Sequence, residues 1–163
     1  MIKKNTYKRS DAIVFCILFL ITLLLSRINF PLIGTDGIMP DYFLALFVSL
    51  IATRLMKMNI YILFLLGLLI DLLAGELIGQ YGLVLIIIYF VNFILNKYFL
   101  LQTSLMQFSQ NLILITIGLI MLLILSSSYE LTTNVNLLGI KWIVTCLVCL
   151  LYNQIIKASR HRI

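Results

Sequence analysis

Tyr61-Ile-Leu-Phe-Leu-Leu-Gly67-Leu-Leu-Ile-Asp71-Leu-Leu-Ala-Gly75-Glu76 is an apolar run interrupted by one carboxylate before its last residue. Facing lipid, that carboxylate would cost about 2.5–3.5 kcal/mol on insertion scales. Gly67, Asp71, Gly75 and then Gly79 recur at four-residue intervals, and residues four apart share one face of a helix. Glycines let a second backbone approach closely, so the strip marks a face turned toward protein. The stretch reads as a membrane helix whose one acidic residue needs a partner inside the fold.

Composition extends this reading to the whole chain. Of 163 residues, 63% are hydrophobic and 11% charged, against about 25% charged in a soluble domain. The mean hydropathy is +1.13. No soluble core buries this much apolar surface, so the chain is read as all-α, a polytopic membrane bundle forming a single integral-membrane domain over residues 1–163. Apolar segments fall at Ile13–Leu25, Tyr42–Met56, Ile60–Ala74, Leu83–Leu95, Leu105–Leu125 and Leu138–Ile156. Each is taken as a transmembrane helix, giving six. The second and third are short against the ~20 residues that a crossing needs, which leaves open a hairpin that does not cross fully. The first follows Lys3, Lys4, Lys8 and Arg9 but has no small-residue cleavage site after it, so it is read as a retained helix.

Charge gives the orientation. With six crossings and a cytoplasmic N-terminus, ten of the twelve basic residues lie inside: Lys3, Lys4, Lys8, Arg9, Arg54, Lys57, Lys97, Lys157, Arg160 and Arg162. Only Arg27 and Lys141 lie outside, whereas five of the six acidic residues do. This asymmetry predicts cytoplasmic N- and C-termini. The net charge of +6 is explained by membrane lipids, because anionic headgroups attract basic segments. The basic patches have no aromatic interleaving, so no nucleic acid is expected as a partner.

Pro40 and Asp41 suit the start of the second helix. Proline lacks the N–H that would go unpaired there, and the dipole favours an anion in the first turn. A docking surface around the preceding loop is the alternative use of these two residues. Asp71 stands in the last turns of its own helix, where the dipole disfavours an anion. A cation would relieve it, and the outer side offers Arg27 or Lys141, Arg27 slightly favoured. A protonated Asp71 bonding a backbone carbonyl is the competing account. Its role is read first as structural, then as partner docking, and last as a proton relay or substrate ligand.

Elsewhere the chain offers little chemistry. Cys146-Leu-Val-Cys149 has metal-ligand spacing but lies in an apolar helix with no nearby His or carboxylate, so no metal is expected. Asp71 and Glu76 are on different helix faces, and His161 belongs to the basic tail. With no phosphate loop and no nucleophile–base set, catalytic residues and cofactors are expected to be none. Tyr89, Asn92 and Asn96 form one polar stripe and Gln107, Gln110 and Asn111 another, expected to bond across two antiparallel helices. Gly118 is expected to be a packing residue.

The basic N-terminus, the Met39-Pro40-Asp41-Tyr42 helix start and Gly67-x3-Asp71-Leu-Leu-x-Gly75-x3-Gly79 resemble the MreD family of bacterial rod shape-determining membrane proteins. Ile38-Met39 stands where that family has a basic residue before the proline. The resemblance implies a non-enzymatic scaffold of the cell-wall elongation complex in the cytoplasmic (inner) membrane. Its implied partners are an MreC-like single-pass protein, MreB-type filaments, and a RodA-type glycosyltransferase with its transpeptidase. The basic cytoplasmic ends would then face MreB. The resemblance also implies a fold similar to the S components of energy-coupling-factor (ECF) vitamin transporters, so a small-molecule uptake component is the alternative. Ile13–Leu25 has no alanine, which argues against the small-residue docking pattern of such components.

Overall fold

A computed structural model describes residues 9–27, 40–53, 59–74, 78–98, 104–126 and 135–161. These form six helices: α1 Arg9–Arg27, α2 Tyr42–Thr53, α3 Ile60–Ala74, α4 Gln80–Tyr98, α5 Ser104–Ser126 and α6 Val135–His161. The six expected segments map onto them one for one, α3 with the same bounds. The longer helices run past their apolar cores into polar flanks, because backbone hydrogen bonding continues after apolarity stops.

Three helices hold spans long and apolar enough to cross a membrane: Gln80–Lys97, Met106–Leu125 and Leu138–Ser159. The shorter apolar helices are Ala12–Arg27, Tyr42–Thr53 and Ile60–Leu73. At 1.5 Å per residue, α2 is roughly 18 Å long against a hydrocarbon core of about 30 Å.

That shortest helix is the centre of the bundle. Every residue from Phe43 to Ile51 is buried, and α2 packs against α6, α5, α1 and α4. Leu44, Leu46, Phe47 and Leu50 join Leu85 and Ile88 of α4 and Leu114 and Ile115 of α5 in one core. Gly118 receives this packing: a Cβ there would lie 2.6 Å from Leu44 Cδ1 and 3.0 Å from Ile88 Cδ1. Between helices in lipid there is no hydrophobic drive to associate, so close packing and polar contacts hold the bundle.

The polar contacts are distributed along the seams. Ser49 Oγ donates to Ala45 O at 2.8 Å and reaches Cys149 O at 3.1 Å, joining α2 to α6. The Thr22 and Tyr152 hydroxyls share a 2.9 Å bond between α1 and α6. Trp142 Nε1 donates to Thr116 Oγ1 at 3.0 Å between α6 and α5. The two expected polar stripes meet at Gln110, whose Nε2 donates to Asn92 Oδ1 at 2.6 Å and Asn96 Oδ1 at 3.4 Å. Asn111 Oδ1 and Asn153 Oδ1 are buried and have no hydrogen-bond partner among the described residues. Cys16 is exposed, while Cys146 and Cys149 are buried free thiols.

The outer surface of the bundle is apolar. Ile13, Ile17, Leu20 and Leu24 form an exposed stripe on α1, and Tyr61, Ile62, Leu65, Leu69 and Leu72 expose one side of α3. A patch of this extent in water would demand a partner. Hydrocarbon covers it without penalty.

Candidate functional site

The charged residues Arg27, Asp41, Asp71 and Lys141 belong to one end of the bundle, and each carboxylate there caps a helix start. Asp41 precedes α2. Its Oδ1 accepts the Leu44 N–H at 3.0 Å, satisfying an amide that has no partner within the helix. Its Oδ2 accepts the Tyr81 hydroxyl at 2.8 Å, and its own N–H donates to Thr145 Oγ1 at 3.1 Å. Asp41 is 6% exposed. Thr145 in turn donates to Lys141 O at 2.7 Å, which fixes its hydroxyl beneath Asp41.

Asp71 is fully buried, and no cation holds it. Its Oδ2 accepts the Gly79 N–H at 2.8 Å and its Oδ1 the Tyr81 N–H at 2.9 Å. Arg27 and Lys141, expected as ion-pair partners, make no ion pair with it among the described residues. Arg27 instead donates from Nη2 to Leu73 O at 3.1 Å, at the end of α3. The expectation took Asp71 by its place in α3, near that helix's negative end. Tertiary folding turns α4 back so that the same carboxylate meets α4's positive end, where the dipole favours it. Arg27 supplies the complementary cap, a cation on α3's last carbonyls.

Glycine makes this turn possible at two places. Gly79 has φ +97°, a left-handed conformation that residues with a Cβ rarely adopt. Gly67 faces Gly82: a Cβ on Gly67 would collide with the Gly82 backbone at Cα and N. So Gly67 and Asp71 face one neighbour, α4, against which α3 makes nearly all its contacts among the described residues. Gly75 lies outside the described residues. Gly79 belongs to the turn into α4 and not to the face of α3.

Tyr81, which sequence reasoning passed over, links the two carboxylates. Its amide binds Asp71 and its hydroxyl binds Asp41, and the ring stands edge-on to Phe43 with centroids 6.4 Å apart. The readable signal was Gly79-Gln-Tyr81-Gly82, amides that follow a glycine turn and await an acceptor. Gly82 and Thr145 were missed for want of any mark in their apolar helices.

Beside Asp41 and Tyr81 is a cavity of about 250 Å³, lined also by Leu23, Ser26, Arg27, Pro40, Tyr42, Phe43, Leu73 and Lys141. Here Pro40 and Asp41 form the floor, both buried. Among the described residues no group of three His, Cys, Asp or Glu could hold a metal ion. Both carboxylates are occupied as helix caps, Asp41 by the Leu44 N–H and the Tyr81 hydroxyl and Asp71 by the Gly79 and Tyr81 N–H groups.

No curated protein and no solved structure matches the chain. A protein-family profile described as rod shape-determining protein MreD matches residues 8–161, nearly the whole sequence. On that match the chain belongs to the MreD family, the non-catalytic, multi-pass rod shape-determining proteins of the bacterial inner membrane.

Proposed function

We propose that this protein is a scaffold of the cell-wall elongation complex, linking MreB-type filaments and an MreC-like single-pass protein to a RodA-type glycosyltransferase and its transpeptidase. The family match over residues 8–161 carries this reading. In the proposed topology residues 1–163 form one domain of six crossings with both termini cytoplasmic. The ten-to-two division of basic residues supports that orientation. The end carrying Arg27, Asp41 and Asp71 then faces outward. The paired glycines and capped turn of α3–α4 would give the docking region, with Pro40 and Asp41, a fixed shape for a membrane partner. The exposed side of α3 offers an apolar surface on which a single transmembrane helix can lie.

A scaffold makes no product, so its loss shows as misplaced synthesis. Depletion in a rod-shaped host is expected to give rounded cells with dispersed wall insertion that no vitamin supplement corrects. Normal shape combined with a growth requirement relieved by one vitamin would replace the scaffold with an uptake component.

A further inference from the structure

We infer that the cavity at the start of α2 binds a phosphate-type anion, held by Arg27 and Lys141. This goes beyond the scaffold reading and does not depend on it.

The bond from the Asp41 N–H to Thr145 sets the start of α2 level with a residue ten positions into α6. At 1.5 Å per residue, α6 rises roughly 15 Å above that point. The short central helix therefore ends in a well, with Asp41 as floor and the taller helices as walls. Asp41 is buried, Lys141 is half-buried and Arg27 is exposed, and all three line the same space.

Charge then selects the ligand. The carboxylate on the floor is already used: Oδ1 caps α2 and Oδ2 accepts from Tyr81. Its charge is offset by the helix end beneath it. Asp71 is likewise bound to the start of α4. The two described acids of this end, Asp41 and Asp71, thus answer helix dipoles, and neither pairs with Arg27 or Lys141. Arg27 has five N–H donors, of which Leu73 O takes one. Lys141 contributes an ammonium that no described group engages. A guanidinium fork with a nearby ammonium suits a tetrahedral oxyanion.

Size and lining narrow the class. The space of about 250 Å³ is that of roughly eight waters at 30 Å³ each. A phosphate with a glycerol-sized substituent fits, and acyl chains do not. Leu23, Phe43 and Leu73 supply apolar wall for the stem of such a group. A lipid headgroup with its chains outside the well, or a soluble phosphate, would present this same chemistry.

The test uses the full-length protein in detergent, with phosphatidylglycerol, phosphatidylcholine and inorganic phosphate as separate probes. Retained lipid is counted by native mass spectrometry for wild type, R27Q/K141Q and the control K157Q at the opposite end of α6. If the source is a lipid, wild type and K157Q retain phosphatidylglycerol over phosphatidylcholine by at least about fivefold, a preference that R27Q/K141Q loses. If it is soluble, inorganic phosphate displaces the lipid or raises the melting temperature of wild type and K157Q but not of R27Q/K141Q. Retention unchanged in R27Q/K141Q, or no binding of either probe by wild type, overturns the proposal. Should the double variant not fold, K141Q decides alone, because the Lys141 ammonium supports no described contact. Its retention must then fall by at least about threefold.

Discussion

Tyr42–Thr53 and Ile60–Ala74 are the two shortest helices and the two most apolar, and they occupy opposite positions. α2 has no side chain exposed to the surroundings from Phe43 to Ile51. α3 leaves Tyr61 80% and Leu72 70% exposed and packs on α4 almost alone. In water the more apolar helix would be the more buried one. In a bilayer lipid solvates leucine as well as protein does, so apolarity is neutral between centre and edge. What separates the helices is where they carry groups that lipid cannot satisfy. α2 has Asp41 at its start and Ser49 along its length, bonded toward α4 and α6. α3 concentrates Gly67 and Asp71 on one face, so one neighbour suffices.

The comparison breaks most visibly at Gly67. Gly67→Leu places side-chain atoms where the Gly82 backbone already stands, and is expected to cost about 3 kcal/mol or abolish folding. Leu65→Ala, on the exposed side of the same helix, is expected to stay within about 0.5 kcal/mol. Thermal melting of the purified protein in detergent measures both. Equal melting temperatures would show that α3 slides over α4 instead of locking against it.

Asp71 gives a smaller but more diagnostic effect. Asp71→Leu removes the acceptor of two charge-assisted bonds and is expected to cost roughly 2–3 kcal/mol. Asp71→Asn keeps one amide acceptor and should lose about half of that. The same melting experiment checks the pair. An Asp71→Asn protein as stable as wild type would mean that a second carboxylate acceptor adds nothing to the turn.

The smallest effect is on the central helix. Ser49→Ala removes one bond between α2 and α6 and should cost about 0.6 kcal/mol, the average of such contacts in membrane bundles. Reversible unfolding in mixed micelles has the precision to read it. A loss several times larger would assign the centrality of α2 to this hydroxyl more than to packing around Leu44 and Leu46.

How much was legible follows from the range of each interaction. Apolar runs bounded by charge are local, and all six helices could be read from them, α3 to its terminal residues. The spacing of Gly67, Asp71 and Gly79 is also local, and the structure places these residues in α3 and the turn into α4. The partner of Asp71 was not legible. Dipole logic applied to α3 alone required a cation, whereas the real acceptor geometry involves amides at Gly79 and Tyr81, eight and ten residues on. The cross-links from Tyr81 to Asp41 and from Asp41 to Thr145 span 40 and 104 residues. Nothing in either neighbourhood announces them.

The membrane environment, the number of helices and the residues that lipid would not tolerate follow from local composition, because they depend on transfer free energies summed over short windows. Tertiary contacts chose which short helix became the centre, which helix end Asp41 and Asp71 answer, and which residues line the cavity of about 250 Å³ at the start of α2. Those outcomes depend on which backbone groups converge. In a solvent indifferent to apolar burial, only packing and hydrogen bonding between distant segments can choose among the arrangements.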